Sequence, residues 1–228
     1  MSVGALKLPT FSNNLLSIGK SKNVISVFQG NWVTKIKHYV LGPSGSNISQ
    51  AAQGWSKLHS LCNKHELIYC ITPEDAITRS EQEYKRGEIN LAWTCAVYFK
   101  EHELFFSNHD HALFFDHYRM QLDQMQLACR KNKDLDFLSK ITVASHPSPS
   151  VLLKHDSAQF SITDATSNSD AARLCADGKV DTCITTESAK KLYDLNTLHE
   201  FGSPEMVFFA SLPPSSSEYL QELLYELQ

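Results

Sequence analysis

An apolar run, followed by a glycine turn and an alanine-rich helical pattern, is the feature that most constrains the fold of this chain. Residues Ile36 to Leu41 predict a buried strand, and Gly42-Pro43-Ser44-Gly45-Ser46 follows it directly. A helical pattern with Trp55 on its apolar face then begins at Gln50. Unpaired N–H groups at a helix start attract anions, so the turn is either an anion site or an ordinary serine-capped turn.

The same alternation of strand and helix continues to the end of the chain. Strands are predicted at 36–41, 67–71, 90–99, 122–129, 141–144, 159–164, 180–185 and 206–211. Helices are predicted at 50–62, from 72 to near 87, and at 150–155, 167–177, 187–193 and 216–228. This alternation predicts an α/β fold with parallel or mixed sheets and helices on their faces.

The pattern restarts after Ala144, which predicts two α/β lobes. We expect residues 36–143 together with 196–228 to form lobe one, because the last strand is expected to return there. Residues 144–195 then form lobe two. Residues 1–35 mix Ser, Asn, Gly and Lys with scattered apolar residues, so we expect an N-terminal extension.

Composition excludes several classes of function. A hydrophobic content of 42% and a charged content of 20% are those of a globular protein. The formal net charge of -4 and the lack of a Lys/Arg run argue against binding to nucleic acid. No apolar run approaches the roughly 20 residues of a membrane span. The start of the sequence has no secretory pattern, so we expect a cytoplasmic protein. The six cysteines form no CxxC pair, and we expect buried thiols rather than disulfides.

Four segments between Leu41 and Ser211 resemble motifs of the prephenate dehydratases, in the same order. The turn from Gly42 to Ser46 with the following Gln-Ala-Ala resembles that family's G-P-x-G-T turn and helix. Ser145-His146-Pro147 resembles its S-H-P turn. The other two segments are Ser167 to Ala172, which resembles S-T-A-E-A, and Thr186 to Leu195, which resembles E-L-A-x-x-Y-G-L. The resemblance implies a two-lobed fold of the type 2 periplasmic-binding kind, with mixed sheets.

The departures from that family's pattern are informative. The dehydratases carry a late T-R-F motif whose threonine is thought to protonate the departing ring hydroxyl; here the stretch is Met206-Val207-Phe208. Ser148 and Leu152 stand where the dehydratases have glutamines, and their E-N-S motif has no counterpart near Thr94. No regulatory ACT domain is expected in the residues that follow Phe208. The prephenate decarboxylases of bacilysin-type natural-product pathways share these departures.

This resemblance implies a cofactor-free lyase that acts on prephenate. A dehydratase expels carbon dioxide and hydroxide together, and hydroxide needs a positioned acid to leave. Met206 cannot donate a proton. The electrons freed by decarboxylation must then be captured by a proton on a ring carbon, so the hydroxyl survives in a non-aromatic dihydro-hydroxyphenylpyruvate. Two alternatives stay open, namely a divergent dehydratase with another acid and a non-catalytic module that binds a small anion.

The candidate site residues follow from these motifs. The expected donors to substrate carboxylates are Ser44, Gly45 and Ser46 in lobe one and Ser145, Ser148, Ser167, Asn168, Ser169 and Thr185 in lobe two. Met206 and Phe208 are expected to form an apolar wall, and His146 is expected to lie near the site. Each residue also has a structural interpretation: helix capping for the hydroxyls, strand core for the wall, and a backbone contact for the histidine.

A histidine cluster invites a different interpretation. His109, His111 and His117, with two aspartates nearby, could bind zinc or iron if their loop folded suitably. The flanking phenylalanines instead favour short strands with partly exposed histidines, so no metal and no cofactor are expected. A homodimer is implied by the resemblance and by the amphipathic C-terminal helix, although that helix could equally pack on its own domain.

Overall fold

The structure is a computed structural model that describes residues 22–108, 110–135, 139–156 and 159–226. The helices are α1 (Lys22–Gln29), α2 (Asn47–Leu58), α3 (Pro73–Gln82), α4 (Glu101–Ser107), α5 (Asn168–Ala176), α6 (Glu187–Leu192) and α7 (Pro214–Glu226), with a 3₁₀ helix at Pro149–Asp156. The strands are β1 (Lys35–Leu41), β2 (His65–Cys70), β3 (Glu88–Cys95), β4 (Ala112–Gln121), β5 (Met125–Arg130), β6 (Ile141–Ser145), β7 (Phe160–Asp164), β8 (Thr182–Thr186), β9 (Leu195–Gly202) and β10 (Glu205–Leu212).

The chain divides into two compact α/β units. Unit 1 contains the described residues up to Met120 and from Met206 onward, and unit 2 is Gln121–Glu205. Each unit has a five-stranded mixed sheet, in the order β2-β1-β3-β10-β4 in unit 1 and β7-β6-β8-β5-β9 in unit 2. The predicted α/β class with mixed sheets is therefore confirmed.

The boundaries between the units differ from the predicted lobes. The segments 121–143 and 196–205, expected in lobe one, belong to unit 2. The reason is strand pairing, because β5 is antiparallel to both β8 and β9 and its backbone groups are satisfied there. The last strand, β10, does return to the first sheet, where it pairs antiparallel with β3.

The described part of the predicted N-terminal extension is also integral to unit 1. Helix α1 buries Val24, Val27 and Phe28, and it packs against α7. The Nζ of Lys64 donates to the carbonyl groups of Phe28 and Gln29, at 3.0 Å each, at the carboxyl end of α1. Residues 1–21 lie outside the described residues.

In unit 1, the parallel strands β1, β2 and β3 end at one edge of the sheet. Leu41 pairs with Cys70, and Tyr39 pairs with Ala92, so Thr94 lies two residues further along β3 at the level of Leu41. Because β10 runs antiparallel to β3, its first residues lie at this same edge. We call it the unit 1 edge; it carries the starts of α2 and α3.

In unit 2, β6 is parallel to β7 and to β8. Ser145, the last residue of β6, pairs with Asp164, the last residue of β7, and Ala144 pairs with Cys183 on β8. The starts of α5 and α6 follow β7 and β8, so they lie at the same end of the sheet. We call this the unit 2 edge.

Local sequence signals explain most helix boundaries. Thr72 caps α3 by accepting the N–H of Asp75, and Pro73 occupies the first helical position, as predicted. Helix α2 begins at Asn47, earlier than predicted, because Ser46 caps it. At the end of α5, Gly178 adopts a φ of +78°, a conformation that favours glycine.

The cysteines are free, and four of them are buried: Cys70, Cys129, Cys175 and Cys183. Cys62 is exposed, contrary to the expectation of burial, because it follows the end of α2. Helix α7 buries Tyr219 and Leu220 within its own unit. This agrees with the second of the two expectations for this helix, that it packs on its own domain. Among the described residues, no helix combines the length and the apolar character that crossing a membrane requires.

Candidate functional site

The glycine turn of unit 1 connects β1 to α2. Ser46 caps α2, since its Oγ accepts the N–H of Ser49 at 3.3 Å and donates to the carbonyl of Leu41 at 2.8 Å. Its hydroxyl hydrogen is therefore directed at the chain itself. Gly45 adopts a φ of +82°, and a Cβ added there would meet no atom within 4 Å. Ser44 and Gly45 are exposed, so the tip of this turn is open to a ligand.

Met206 and Phe208 have different surroundings although both lie on β10. Phe208 is 1% exposed and pairs with Cys95 in the interior of unit 1, so it belongs to the strand core. This burial fits the strand-core interpretation, and the role of Phe208 in an apolar wall of the site stays a prediction. Met206 is half-buried at the start of β10, on the unit 1 edge.

A carboxyl group that the sequence did not predict also lies at the unit 1 edge. Glu101 begins α4, and its Oε2 accepts a hydrogen bond from the Oγ1 of Thr94 at 2.7 Å. Burial raises the pKa of the Glu101 carboxyl, and the hydrogen bond from Thr94 only partly offsets this effect. Thr94 and Glu101 line a small cavity whose walls are mostly apolar, including Trp93, Leu104 and Phe209.

A second carboxyl group lies at the same edge of the sheet. Glu74, in the first turn of α3, accepts the Tyr98 hydroxyl at 2.9 Å. Sequence reasoning missed Glu74, Tyr98 and Glu101 as a group because it extended the strand β3 as far as Phe99. The sequence does contain a signal for the start of α4. The apolar run ends there and is followed by Lys100 and Glu101, a charged pair suited to a helix start.

In unit 2, Ser145 and His146 follow directly from β6. Ser145 is fully buried, and its Oγ donates to the carbonyl of His146 at 2.8 Å. The backbone N–H of Ser148 donates to the Nδ1 of His146 at 3.3 Å, which assigns the imidazole hydrogen to Nε2. Burial lowers the pKa of His146, so the ring is neutral near pH 7.

The start of α5 brings the other predicted residues to the unit 2 edge. Ser167 caps the helix by accepting the N–H of Asp170 at 3.0 Å. Its own hydroxyl donates no hydrogen bond to any of the described residues. Thr185, fully buried on β8, donates to the carbonyl of Asn168 at 2.8 Å. The Oδ1 of Asn168 is a buried atom, and it has no hydrogen-bond partner among the described residues. Ser169 is half-buried beside it.

Glu187, at the start of α6, is fully paired. Its carboxylate accepts from Gln126 Nε2 and forms ion pairs with Lys190 at 2.8 Å and Lys191 at 3.1 Å. These partners lower its pKa to about 2, with the hydrogen bond from Lys190 as the largest cause. Gln126 also accepts from Thr197 on β9, so the network ties α6 to two strands. This network favours a structural role for Glu187 over a catalytic one.

The histidine cluster does not form a metal site within the described residues. His109 lies outside them, and the rest of the protein that is described holds no group of three or more His, Cys, Asp or Glu side chains suited to a metal ion. The side chain of His111 is buried, whereas that of His117, on β4, is 60% exposed. Phe105 and Phe106 lie in α4 and the strand β4 begins at Ala112, whereas the sequence predicted short strands on both sides.

No protein-family model matches this chain, and no curated protein sequence matches it. Its structure is similar to that of the periplasmic VFT2 domain of Bordetella pertussis BvgS, with 15% identity and a TM-score of 0.52 over 97% of this chain and 95% of that chain. It is also similar to the prephenate dehydratase of Staphylococcus aureus, with 11% identity and a TM-score of 0.48 over 77% of this chain and 65% of that chain.

The first of these similarities shows the fold alone. The chain has the α/β fold of the Venus-flytrap and periplasmic-binding-like domains, as the sequence predicted. The identity and the TM-score to the dehydratase are too low to support an assignment of function. The function therefore has to be argued from the chain's own residues.

Proposed function

We propose that this chain is a prephenate decarboxylase, a cofactor-free carbon–carbon lyase that forms a non-aromatic dihydro-hydroxyphenylpyruvate. The observation that carries the proposal is the convergence at the unit 2 edge of segments that lie far apart in the sequence. The turn from Ser145 to Ser148, the helix start from Ser167 to Ser169 and the strand end at Thr185 all lie there. The first two of these segments are among those through which the chain resembles the prephenate dehydratases.

The hydrogen bonds at this edge divide the candidate residues into two groups. The hydroxyl hydrogens of Ser145 and Thr185 are directed at carbonyl groups of the chain, so these residues fix the shape of the edge. The hydroxyl of Ser167 donates no hydrogen bond to any of the described residues, and the first N–H groups of α5 have no partner within the helix. These are the donors that we propose for a substrate carboxylate.

The proposed outcome of the reaction depends on Met206. A thioether cannot protonate a departing hydroxide, which is a poor leaving group without an acid. Met206 lies at the start of β10, on the unit 1 edge, and its nearest ionisable neighbour along the strand, Glu205, is exposed. Loss of carbon dioxide with retention of the hydroxyl is therefore the reaction that we expect.

The test is to incubate the purified protein with prephenate and to follow the products by ultraviolet absorption and mass spectrometry. We expect prephenate to be consumed and to give a product lighter by carbon dioxide alone, with no aromatic phenylpyruvate signal. Phenylpyruvate would contradict the proposal and would indicate a dehydratase with a relocated acid. Saturable binding of prephenate without turnover would contradict it in favour of a module that binds small anions.

Matched serine variants test the unit 2 edge. The change Ser169→Ala removes a hydroxyl from the proposed site, and we expect KM to rise several-fold because a hydrogen bond contributes about 0.5–1.5 kcal/mol. Ser188→Ala removes an exposed hydroxyl from the first turn of α6 and should leave KM unchanged. A cytoplasmic location and a homodimer belong to the same proposal, and sedimentation of the purified protein tests the dimer.

A further inference from the structure

Unit 1 contains a chain of hydrogen bonds that joins α2 to three strands of its sheet. Trp93 on β3 donates from its Nε1 to the Nδ1 of His38 on β1 at 3.0 Å. The Oγ of Ser56 on α2 lies 3.0 Å from the Nε2 of His38 and 2.8 Å from the Nδ1 of His65 on β2. His38 and Ser56 are buried, and the centres of the two imidazole rings are 4.5 Å apart. The proposed function makes no use of this chain.

The strand register explains why these side chains lie on one face of the sheet. His38 pairs with Leu67 on β2 and with Leu91 on β3. His65 precedes the first of these partners by two residues, and Trp93 follows the second by two. Because residues two apart in a strand point to the same face, the three rings lie together. Helix α2 contacts that face and supplies the hydroxyl group that joins the two imidazoles.

The donors and acceptors determine where each hydrogen of the chain lies. An indole nitrogen only donates, so the Nδ1 of His38 is an acceptor and carries no hydrogen. The hydrogen of this neutral ring is then on Nε2, which donates it to Ser56. Ser56 in turn donates its hydroxyl hydrogen to the Nδ1 of His65. The chain therefore runs in one direction, from Trp93 to His65, and it requires both imidazoles to be neutral.

An added proton enters this chain at His65. His38 cannot take one without losing the hydrogen bond from the indole, because its Nδ1 already receives that hydrogen. On His65 the proton adds to Nδ1, where it meets the hydroxyl hydrogen of Ser56, so that hydroxyl has to turn and loses its acceptor. The Nε2 of His65 is buried and has no hydrogen-bond partner in the described part of the chain. The charged ring is therefore poorly accommodated where it lies.

The charged groups on the surrounding elements are engaged with other partners. Glu66 on β2 pairs with Lys35 on β1 at 2.7 Å. Lys64, just before β2, donates to carbonyl groups at the end of α1. At the end of α2, the Nε2 of His59 lies 3.7 Å from a carboxylate oxygen of Asp116 on β4. The ring that β3 contributes is an uncharged indole. Within the described residues, no carboxylate offsets the charge of a protonated imidazole in the chain.

We propose that the chain from Trp93 to His65 is an acid-sensitive connection that holds α2 on the sheet of unit 1 at neutral pH and releases it in acid. When α2 separates from the sheet, water reaches His65 and the ring accepts a proton more readily than in the closed arrangement. Burial lowers the pKa of both imidazoles in the closed arrangement, which agrees in sign. The closed arrangement is therefore favoured above the ordinary imidazole pKa of 6.5 and loses stability as the pH falls below it.

The test measures hydrogen exchange of the α2 amides by mass spectrometry, corrected for intrinsic exchange rates. Between about pH 7.5 and about pH 5.5, the open fraction should rise by about 5–10-fold, the range that one proton allows. His65→Asn keeps an oxygen that can accept from Ser56 but does not titrate, so it should reduce this rise to less than about twofold. His59→Asn is the matched control, since His59 titrates beside Asp116 at the end of the same helix, and it should keep most of the rise.

Nitrogen NMR of the imidazole rings tests the chain in the unchanged protein, without relying on a variant that folds. At about pH 7.5, the hydrogen of both His38 and His65 should be on Nε2. As the pH falls, His65 should gain a proton together with the opening of α2. His38 should remain neutral for as long as unit 1 is folded, because the indole of Trp93 occupies its Nδ1.

Three results would overturn the proposal. The first is an NMR spectrum in which His38 carries its hydrogen on Nδ1 or is charged in the folded protein. The second is an open fraction of α2 that does not change between the two pH values. The third is a rise that persists in His65→Asn or disappears in His59→Asn, because the titrating group would then be another histidine.

Discussion

The two units have the same arrangement of parallel strands followed by helices, but their edges carry different chemistry. The unit 1 edge holds carboxyl groups, Glu74 and Glu101, and β10 begins at the same edge with Met206 near its start. The unit 2 edge holds hydroxyl, amide and imidazole groups, represented by Ser167 and His146. The strand arrangement is the same in both units, so the residues that follow the strands decide which chemical groups each edge carries.

Two glutamates make the contrast specific, because each is the first residue of a helix that follows a strand. Glu187 in unit 2 is surrounded by two lysines and an amide, and its pKa is lowered to about 2. Glu101 in unit 1 is surrounded by apolar walls and one hydroxyl, and its pKa is raised. The position in the fold is the same, so the surrounding side chains decide whether the group is a structural anion or an acid.

The cores differ as well. Unit 1 is filled by large rings, among them Phe28, Trp55 and Trp93, which contact each other and His38. In unit 2, the cluster between α5 and the sheet consists largely of small residues such as Ala144, whereas a separate cluster holds larger side chains such as Leu127 and Ile184. The first core should therefore be more sensitive to the loss of side-chain volume, and the second to its gain.

The largest expected effect is the loss of a ring in unit 1. Trp55 is fully buried, and its Nε1 donates to the carboxylate of Asp116 at 2.8 Å. Trp55→Ala should lower the free energy of unfolding by about 3–5 kcal/mol, because the lost contacts leave a cavity. Urea denaturation measures this change. Tyr225→Ala, at a side chain that is 83% exposed, should change it by less than about 0.5 kcal/mol. A loss below about 1 kcal/mol for Trp55→Ala would contradict this account.

A smaller effect is expected from added volume in unit 2. Ala172 is fully buried in α5, so Ala172→Leu should lower the free energy of unfolding by about 1–3 kcal/mol through overpacking. The matched control is Lys179→Leu, which adds an apolar side chain at an exposed position and should have little effect. Equal urea midpoints for the two variants would show that this core tolerates larger residues.

The smallest effects concern pH, and the two glutamates should differ in sign. The pKa of Glu187 is lower in the folded state than its ordinary value of 4.5, so its contribution is present above pH 4.5 and is lost as the pH falls towards about 2. Glu187→Gln should therefore lower stability at pH 7, and the difference from the unchanged protein should close in acid. Unfolding measured in urea from pH 2 to pH 7 provides the test.

Glu101 should behave in the opposite way. Its folded-state pKa is raised, so the folded state holds its proton more strongly than the unfolded state does, and stability is lost as the pH rises through that pKa. Glu101→Gln should therefore raise stability at pH 7 and have no effect below pH 4.5. A destabilised Glu101→Gln protein at pH 7 would show that the charged form is favoured in the folded state.

Local signals in the sequence were sufficient for much of the fold. The strands β1, β2 and β8 and the caps of α3 and α5 follow from short runs and capping residues, because these features depend on neighbours a few residues away. The elements that were missed are α1, α4, most of β4, and β9. Strand β9 is an exposed edge strand, so its sequence lacks the apolar run on which the prediction relied.

The sequence by itself determined the α/β class, the turns at Gly45 and Ser167, and the segments that resemble a known family. Only the tertiary structure assigned β5 to the second sheet and put Phe208 inside the core. It also decided the environment of Glu101, whose surroundings come from β3, α3 and β10. The physical reason is that capping and periodicity are set by residues close in sequence, whereas burial and the pKa shifts that follow from it depend on residues that are distant in sequence and adjacent only in the folded chain.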